Sequence, residues 1–361
     1  MALIASFALA AVLALALMPL GIRIAWAIGY LDHPEARKLH TSATALLGGV
    51  VVFACALASW LVVHALHAGR DREAAFLLSG AVVALTLGLW DDRFGMQPPV
   101  KLLGQLAAGG LLVASGAVPQ LGLPVPVEVA LTLLVMAALM NAVNFLDNMN
   151  GMVGGLAAVT LAAFAWDSAR RGAVGLAAAQ LALAGACVGF LRFNFPRARI
   201  FLGDAGSLLL GYSLGASAVL AFAHAPRGWG RLGVALMLAY PAFDMTFVVI
   251  NRLRDGRKIY VGGRDHSNHR LASVLACPKT TVLLIWVSGA ALCASGLVVL
   301  KLNRALPALL LSGLWTILLL WAGRRLSSVP VAPKAPQPEL PHTALPGRAA
   351  SPTPGTSSSR S

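Results

Sequence analysis

Eleven apolar runs follow one another along this chain, at 2–27, 46–66, 74–90, 100–118, 125–143, 152–166, 173–191, 205–223, 232–250, 280–300 and 305–322. A helix that crosses a bilayer needs about 20 such residues. Backbone groups in hydrocarbon find no water, so each spanning segment must satisfy its own hydrogen bonds. The pattern therefore predicts an all-α, polytopic integral membrane bundle of about 11 transmembrane helices. Charge content agrees: 12% of the 361 residues are charged, against about 25% in a water-soluble domain. From 326 onward the chain is rich in Pro, Ser and Ala with few large apolar residues. Such a segment cannot bury a core, which predicts a membrane domain over 1–325 and a disordered tail over 326–361. Residues 1–20 lack a basic start and lead into further spans, so they read as an uncleaved first helix.

Eleven spans place the connections after spans 1, 3, 5, 7 and 9 on one face, together with the C-terminus. That face carries 20 of the 28 Lys and Arg residues, and still 15 against 8 without the tail. Lys and Arg accumulate on cytoplasmic loops. The expected orientation is N-terminus outside and C-terminus cytoplasmic. The net charge of +14 is thereby explained without nucleic acid as a partner. The four cysteines show no paired spacing and read as small core residues.

The same face collects Asp91, Asp92, Asp147, Asp204, Asp255 and Asp265, most of the asparagines, His266 and His269. The other face holds short plain loops such as "DSARRG". Charge gathered from five loops on one face reads as one site. In "GLWDDRFG" (88–95) two adjacent carboxylates end an apolar run. Adjacent carboxylates repel, so a nearby cation suits them. Hard oxygen donors at a membrane face fit Mg²⁺, which takes one or two carboxylates plus substrate phosphates. A hydrophilic stop to the span explains Asp-Asp-Arg equally well.

In "NAVNFLDNMNG" (141–151), Asn141, Asn144 and Asp147 share one helical face. Asparagine offers donor and acceptor together, as a nucleobase or sugar hydroxyls would need; an Asn-rich turn is the plainer alternative. In "FNFPRARIFLGDAGS" (193–207), Asp204 stands where an N-cap would, and Arg197 and Arg199 suit phosphates or headgroups. In "GGRDHSNHRL" (262–271), Arg264, His266 and His269 follow a Gly pair. Zinc would need a third ligand, and no Cys or third His is near; a pyrophosphate clamp fits better. Asp244 is an acid inside a span, which by default signals function. A Walker loop does not appear.

Taken in order, "RKLH…GG" (37–49), "DDRF…K…Q" (91–105), "NAVNFLD" (141–147), "FNFPRARIFLGDAGSL" (193–208) and "GGRDHSNHRL" (262–271) resemble the polyprenyl-phosphate N-acetylhexosamine-1-phosphate transferases of glycosyltransferase family 4. The resemblance is nearest to the branch that uses undecaprenyl phosphate and GlcNAc. It covers residues 15–325. It implies an enzyme that transfers sugar-1-phosphate from a UDP-N-acetylhexosamine to undecaprenyl phosphate, releases UMP and starts envelope polysaccharide synthesis. The setting it implies is the bacterial inner membrane, with the active site facing the cytoplasm.

By that resemblance Asp91 and Asp92 are the catalytic acids. Asp204 binds Mg²⁺, with Mn²⁺ as a substitute. Lys38, Lys101, Asn144, Asp147, Asn194, Phe201, Arg264, His266 and His269 bind substrate, with Phe201 stacking on uracil. Expected partners are the UDP-sugar, the polyprenyl phosphate and membrane lipid, with a homodimer left open. Alternatives are a transporter or flippase of lipid-linked sugars, or the same chemistry on another UDP-amino sugar. The chain departs from the family pattern at Ala43, Ala45, Leu46, Asn150 and Asn268.

Overall fold

The computed structural model describes residues 1–33, 42–67, 72–259 and 263–330. Thirteen helices run through them: α1 (Ala2–Ala27), α2 (Gly48–His67), α3 (Arg72–Phe94), α4 (Pro98–Ala114), α5 (Val125–Leu146), α6 (Met152–Arg170), α7 (Val174–Asn194), α8 (Gly203–His224), α9 (Gly230–Met237), α10 (Ala239–Arg254), α11 (Ser267–Leu275), α12 (Pro278–Leu302) and α13 (Ala305–Ser327). The strand pair β1 (Leu31–Asp32) and β2 (Thr44–Ala45) is antiparallel, with Leu31 opposite Ala45.

Each of the eleven apolar runs lies on helix, but two are not single long spans. Among the described residues, nine helices are long and apolar enough to cross a membrane. The run expected over 232–250 is a broken pair, α9 and α10, bent by 63°. The break falls at Leu238, three residues before Pro241. A proline in the first turn of α10 costs little, because its missing N–H would have had no helical partner there. The fourth run is the 17-residue α4, shorter than a full span. The third helix is longer than its apolar run and carries Asp91 and Asp92 in its last turn.

Helix α8 is the pillar of the bundle. Nearly all of its residues are buried, whereas those of α13 are nearly all exposed or half-exposed. It packs on α3, α5, α2 and α6. Its small residues let neighbouring backbones come close. A side chain at Gly49 would strike the backbone of Gly206, and one at Gly88 would strike Ala205 and the Asp204 carbonyl. In the reverse sense α13 shows Leu309, Leu310, Ile317 and Leu320 outward, as a lipid-facing helix does.

The start of α8 is stitched to the start of α2. The N–H groups of Gly48 and Gly49 donate to the carbonyls of Phe201 and Leu202, and Phe201 N–H donates to Ala45 O at 2.8 Å. Ala45 also bridges Ile200. Two regions distant in sequence thus meet at the end of the bundle where Asp204 begins its helix.

Candidate active site

The close approach at Gly88 explains the acidic pair that follows it. With no side chain at 88, the end of α3 lies against the first turn of α8. One turn further on, the two acids do different work. Both oxygens of Asp92 accept backbone N–H groups at the start of α8: Asp204 N–H at 2.8 Å and Ala205 N–H at 3.1 Å. These amides would otherwise lack partners, and a carboxylate there also meets the positive end of the helix dipole. The sequence reading made Asp204 the candidate cap, but the N-cap position is Leu202, without a side-chain bond. The cap comes from α3. Asp92, expected as a catalytic acid, positions Asp204.

Asp91 turns the other way. Its Oδ1 accepts Met96 N–H at 2.7 Å and its Oδ2 pairs with Lys101 Nζ at 2.7 Å. The same ammonium lies 2.8 Å from Asp204 Oδ2 and 3.2 Å from Asn144 Oδ1. Asn144 Nδ2 donates to Asp204 Oδ1 at 2.8 Å and to Ser207 Oγ at 2.8 Å. A cation therefore sits among two carboxylates and an amide oxygen from α3, α5 and α8. Asp204 keeps 36% of its side chain exposed, against 12% for Asp91 and 16% for Lys101. It is the carboxylate that an arriving ion or phosphate meets first.

Of the three polar residues expected on one face of α5, Asn141 pairs with Gln105 of α4 through two amide bonds, 2.8 and 3.2 Å. Asn144 reaches the acids. Asp147 is the residue after the helix, at its C-cap. Burial, and then the Asp204 and Asp92 carboxylates, push its pKa up to about 8, so at neutral pH it is mostly protonated and can donate a hydrogen bond. The chain then turns through Gly151, at φ +79°, where a side chain would hit Phe195.

The second wall is the segment after α10. Arg252 and Asp265 form a buried two-pronged ion pair, 2.9 and 2.8 Å, and Arg252 also donates to Ile259 O. Burial alone would raise the Asp265 carboxyl, but Arg252 holds it down at about 2. Arg270 donates to the carbonyls of Leu326, Ser327 and Val329, closing the C-terminal end of α13. Within this frame His266 is the N-cap residue of α11 and His269 lies in its first turn. Burial and neighbouring His266 hold His269 down at about 4, so it is neutral at physiological pH. The wall meets α5 where Phe145 contacts His266 edge-on, ring centroids 6.4 Å apart. Asn268 Nδ2 donates to Asn148 Oδ1 at 2.6 Å. Asn268, a departure from the family pattern, thus ties the histidine segment to the "LDNMNG" turn.

Asp91, Asp92, Lys101, Asn144 and Asp204 are brought together as one cluster. Asp147, His266 and His269 lie on the adjoining wall, with Arg264 half-buried in the same segment. Asn194 is not presented to a ligand: its Oδ1 accepts Gly151 N–H and its Nδ2 donates to Ile200 O. It fastens the two loops on either side of the site. Phe201 is half-buried and pinned through its backbone. Lys38 lies outside the described residues. Ser207 was not singled out by sequence; its position one helical turn after Asp204 was the available signal. Asp244, the acid inside a span, is bound to His266 and Ser267, so it belongs to this end of the bundle and not to a path across it.

Fold and site together define a multi-span membrane protein with an acid–lysine pocket at one end of its bundle. The profile of glycosyl transferase family 4 matches residues 74–222, which contain the acid pair, the asparagine helix and Asp204. A decaprenyl-phosphate N-acetylglucosaminephosphotransferase of Mycobacterium tuberculosis H37Rv is 31% identical over 303 residues, 72% of this chain and 73% of that protein. A probable undecaprenyl-phosphate N-acetylglucosaminyl 1-phosphate transferase of Bacillus subtilis is 29% identical over 80% of this chain and 82% of its own length. The undecaprenyl-phosphate alpha-N-acetylglucosaminyl 1-phosphate transferase of Escherichia coli K12 is 26% identical over 76% and 77%. The chain belongs to glycosyl transferase family 4.

Proposed function

We propose that this protein transfers GlcNAc-1-phosphate from UDP-GlcNAc to undecaprenyl phosphate, releasing UMP at the cytoplasmic face of a bacterial inner membrane. One observation carries the reading: Asp91, Asp204 and Asn144 converge their oxygens on the Lys101 ammonium, with Asp204 the open member. Relatives that share most of this chain's length bear names of that activity. The Lys and Arg bias supports the orientation.

The donor set also fits Mg²⁺. Its atoms are hard oxygens, and they already surround a cation. Among the described residues no three His, Cys, Asp or Glu side chains form a complete metal site. That suits an ion held by one or two carboxylates and completed by substrate phosphates. Asp204 and Asp91 would hold it. When bound, it supplies charge neutralisation at the pyrophosphate.

An oxygen of the lipid phosphate attacks the sugar-side phosphorus of the nucleotide sugar. The bond from that phosphorus to the bridging oxygen breaks, and the bridging oxygen leaves with UMP. A phosphomonoester has its second pKa near about 6, so at neutral pH the attacking group is mostly dianionic and needs little help from a base. Asp91 takes the remaining proton where one is present. Lys101 offsets charge on the transferred phosphoryl group, and Asn144 fixes Asp204. Protonated Asp147 and the Asn148 turn stand where sugar or base hydroxyls and amides can be read.

For the acceptor's tail, a groove of about 460 Å³ is lined by Ile28, Tyr30, Thr86, Leu89, Trp90, Arg93 and Phe94. Burial, and then Asp92, push Tyr30 up to about 12, a sign of how near the groove lies to the acids. We assign it to the first isoprene units, with Arg93 near the lipid phosphate.

The test is purified protein in detergent with UDP-GlcNAc labelled at the sugar-side phosphate, undecaprenyl phosphate and Mg²⁺. Label should pass to the lipid with equal release of UMP, and chelation should stop it. No UMP release from any UDP-amino sugar would overturn the reading.

A further inference from the structure

The break between α9 and α10 has a chemical consequence at the site. It aims α10 so that Asp244, fully buried, lies beneath the histidine segment. Its Oδ1 accepts two hydrogen bonds from Ser267, from the backbone N–H at 2.8 Å and the hydroxyl at 2.6 Å. Its Oδ2 faces His266 Nδ1 at 2.8 Å. A carboxylate that already accepts twice is an acceptor on its other oxygen too, so the proton of this bond belongs to Nδ1. Tyr240 OH, 3.4 Å from Ser267 Oγ, closes the polar group from behind.

The ring is held on its other sides as well. Phe145 meets it edge-on at 81° and His269 at 70°. No partner for Nε2 is seen among the described residues, and 6% of the His266 side chain remains exposed. Beside it, Phe145 follows Asn144, which holds Asp204. An imidazole with one nitrogen locked on a buried carboxylate and the other without a partner among the described residues is arranged to donate to an anion. The carboxylate offsets the positive charge gained when Nε2 is also protonated.

We infer that Asp244 is a positioning residue of this active site: acting through His266, it orients Nε2–H toward a phosphate oxygen of the bound nucleotide sugar. Ser267 keeps the carboxylate from rotating. This rests on the function proposed above. It adds a carboxylate–histidine pair that depends on the broken span, separate from the acid–lysine cluster.

A double-mutant cycle on the full-length protein tests it. UMP release would be measured for wild type, Asp244→Asn, His266→Gln and the double variant, each checked for folding by thermal unfolding in detergent. Removing a carboxylate that orients a metal-ligating histidine costs about 10–100-fold, and the same scale is taken for this pair. We expect Asp244→Asn to fall in that range, and the double variant to be no slower than His266→Gln alone. Losses that multiply, or an Asp244→Asn variant with wild-type kcat and KM, would overturn the inference. Nitrogen NMR of histidine-labelled wild type does not depend on any Asp244 variant folding. The resonance lost in His266→Gln should report a protonated Nδ1; an unprotonated Nδ1 would overturn the pairing. A wild type that turns over while the cycle is additive sinks only this inference. A wild type inactive with every UDP-amino sugar sinks the function itself.

Discussion

On one wall of the site the charged groups hold one another across helices; on the other they are clamped to backbone. Asp91, Lys101, Asn144 and Asp204 come from three helices plus α4, and their mutual contacts are side chain to side chain. The histidine wall hangs on Arg252, Arg270 and Asp244: all three are tied to main-chain atoms, and Arg252 and Asp244 to a side-chain partner as well. A cluster of the first kind can exchange its internal cation for an incoming cation, because no backbone bond is lost. A frame of the second kind cannot move without leaving buried charge unpaired. The contrast assigns exchange to the acid wall and fixed geometry to the histidine wall.

Breaking the frame is expected to have the largest effect. Arg252→Met leaves Asp265 buried without its main partner, and losing one member of a buried pair costs about 3–5 kcal/mol. Thermal or denaturant unfolding in detergent would measure it; a loss under about 1 kcal/mol would mean that the segment does not depend on this pair. Next comes the exchange wall. Asp204→Asn should lower kcat by about 10²–10³-fold, as for removal of a group that stabilises transition-state charge, with little change in unfolding temperature. The assay is UMP release, and near-normal turnover would remove Asp204 from the chemistry.

Asp92→Asn sharpens the comparison between neighbours. Loss of a capping carboxylate costs about 1 kcal/mol, so this variant should unfold slightly earlier and retain more activity than Asp204→Asn. The opposite ranking would restore Asp92 as a catalytic acid. The last comparison is a slope with pH. The Asp147 pKa is near 8 in the fold and about 3.9 in an unfolded chain. Between those values the folded state binds the extra proton, so stability falls as pH rises from about 4 to about 8. In chelator, Asp147→Asn should flatten part of that decline. An unchanged slope would show that Asp147 titrates normally.

Much of this was legible in the residues. Apolar runs of bilayer length marked every membrane-length helix, because hydrocarbon leaves the backbone few options. The one-sided spread of acids, asparagines and basic residues marked one end of the bundle, and the ordered motifs named the acids. The sequence could not say which of two adjacent aspartates faces the pocket. Asp91 and Asp92 differ only in the direction their Cα–Cβ bonds take from one helix, and Gly88 decides where that helix lies. Nor could it foresee that Asn194 spends both ends on backbone, since an asparagine that reads a base and one that staples a loop are the same residue. The run over 232–250 is apolar throughout its middle, so periodicity passed over the bend at Leu238; Pro241 was the only local hint.

The central claim is that Asp91 and Asp204 form one cation pocket in which Lys101 gives way to a divalent ion when nucleotide binds. Anomalous scattering from crystals of the full chain grown with Mn²⁺ and UDP-GlcNAc tests it directly. The account predicts one manganese peak within bonding distance of an Asp204 oxygen and the nucleotide phosphates, with Lys101 turned toward the phosphates. A bound nucleotide whose manganese lies away from both carboxylates, or Lys101 still bridging them, would contradict it.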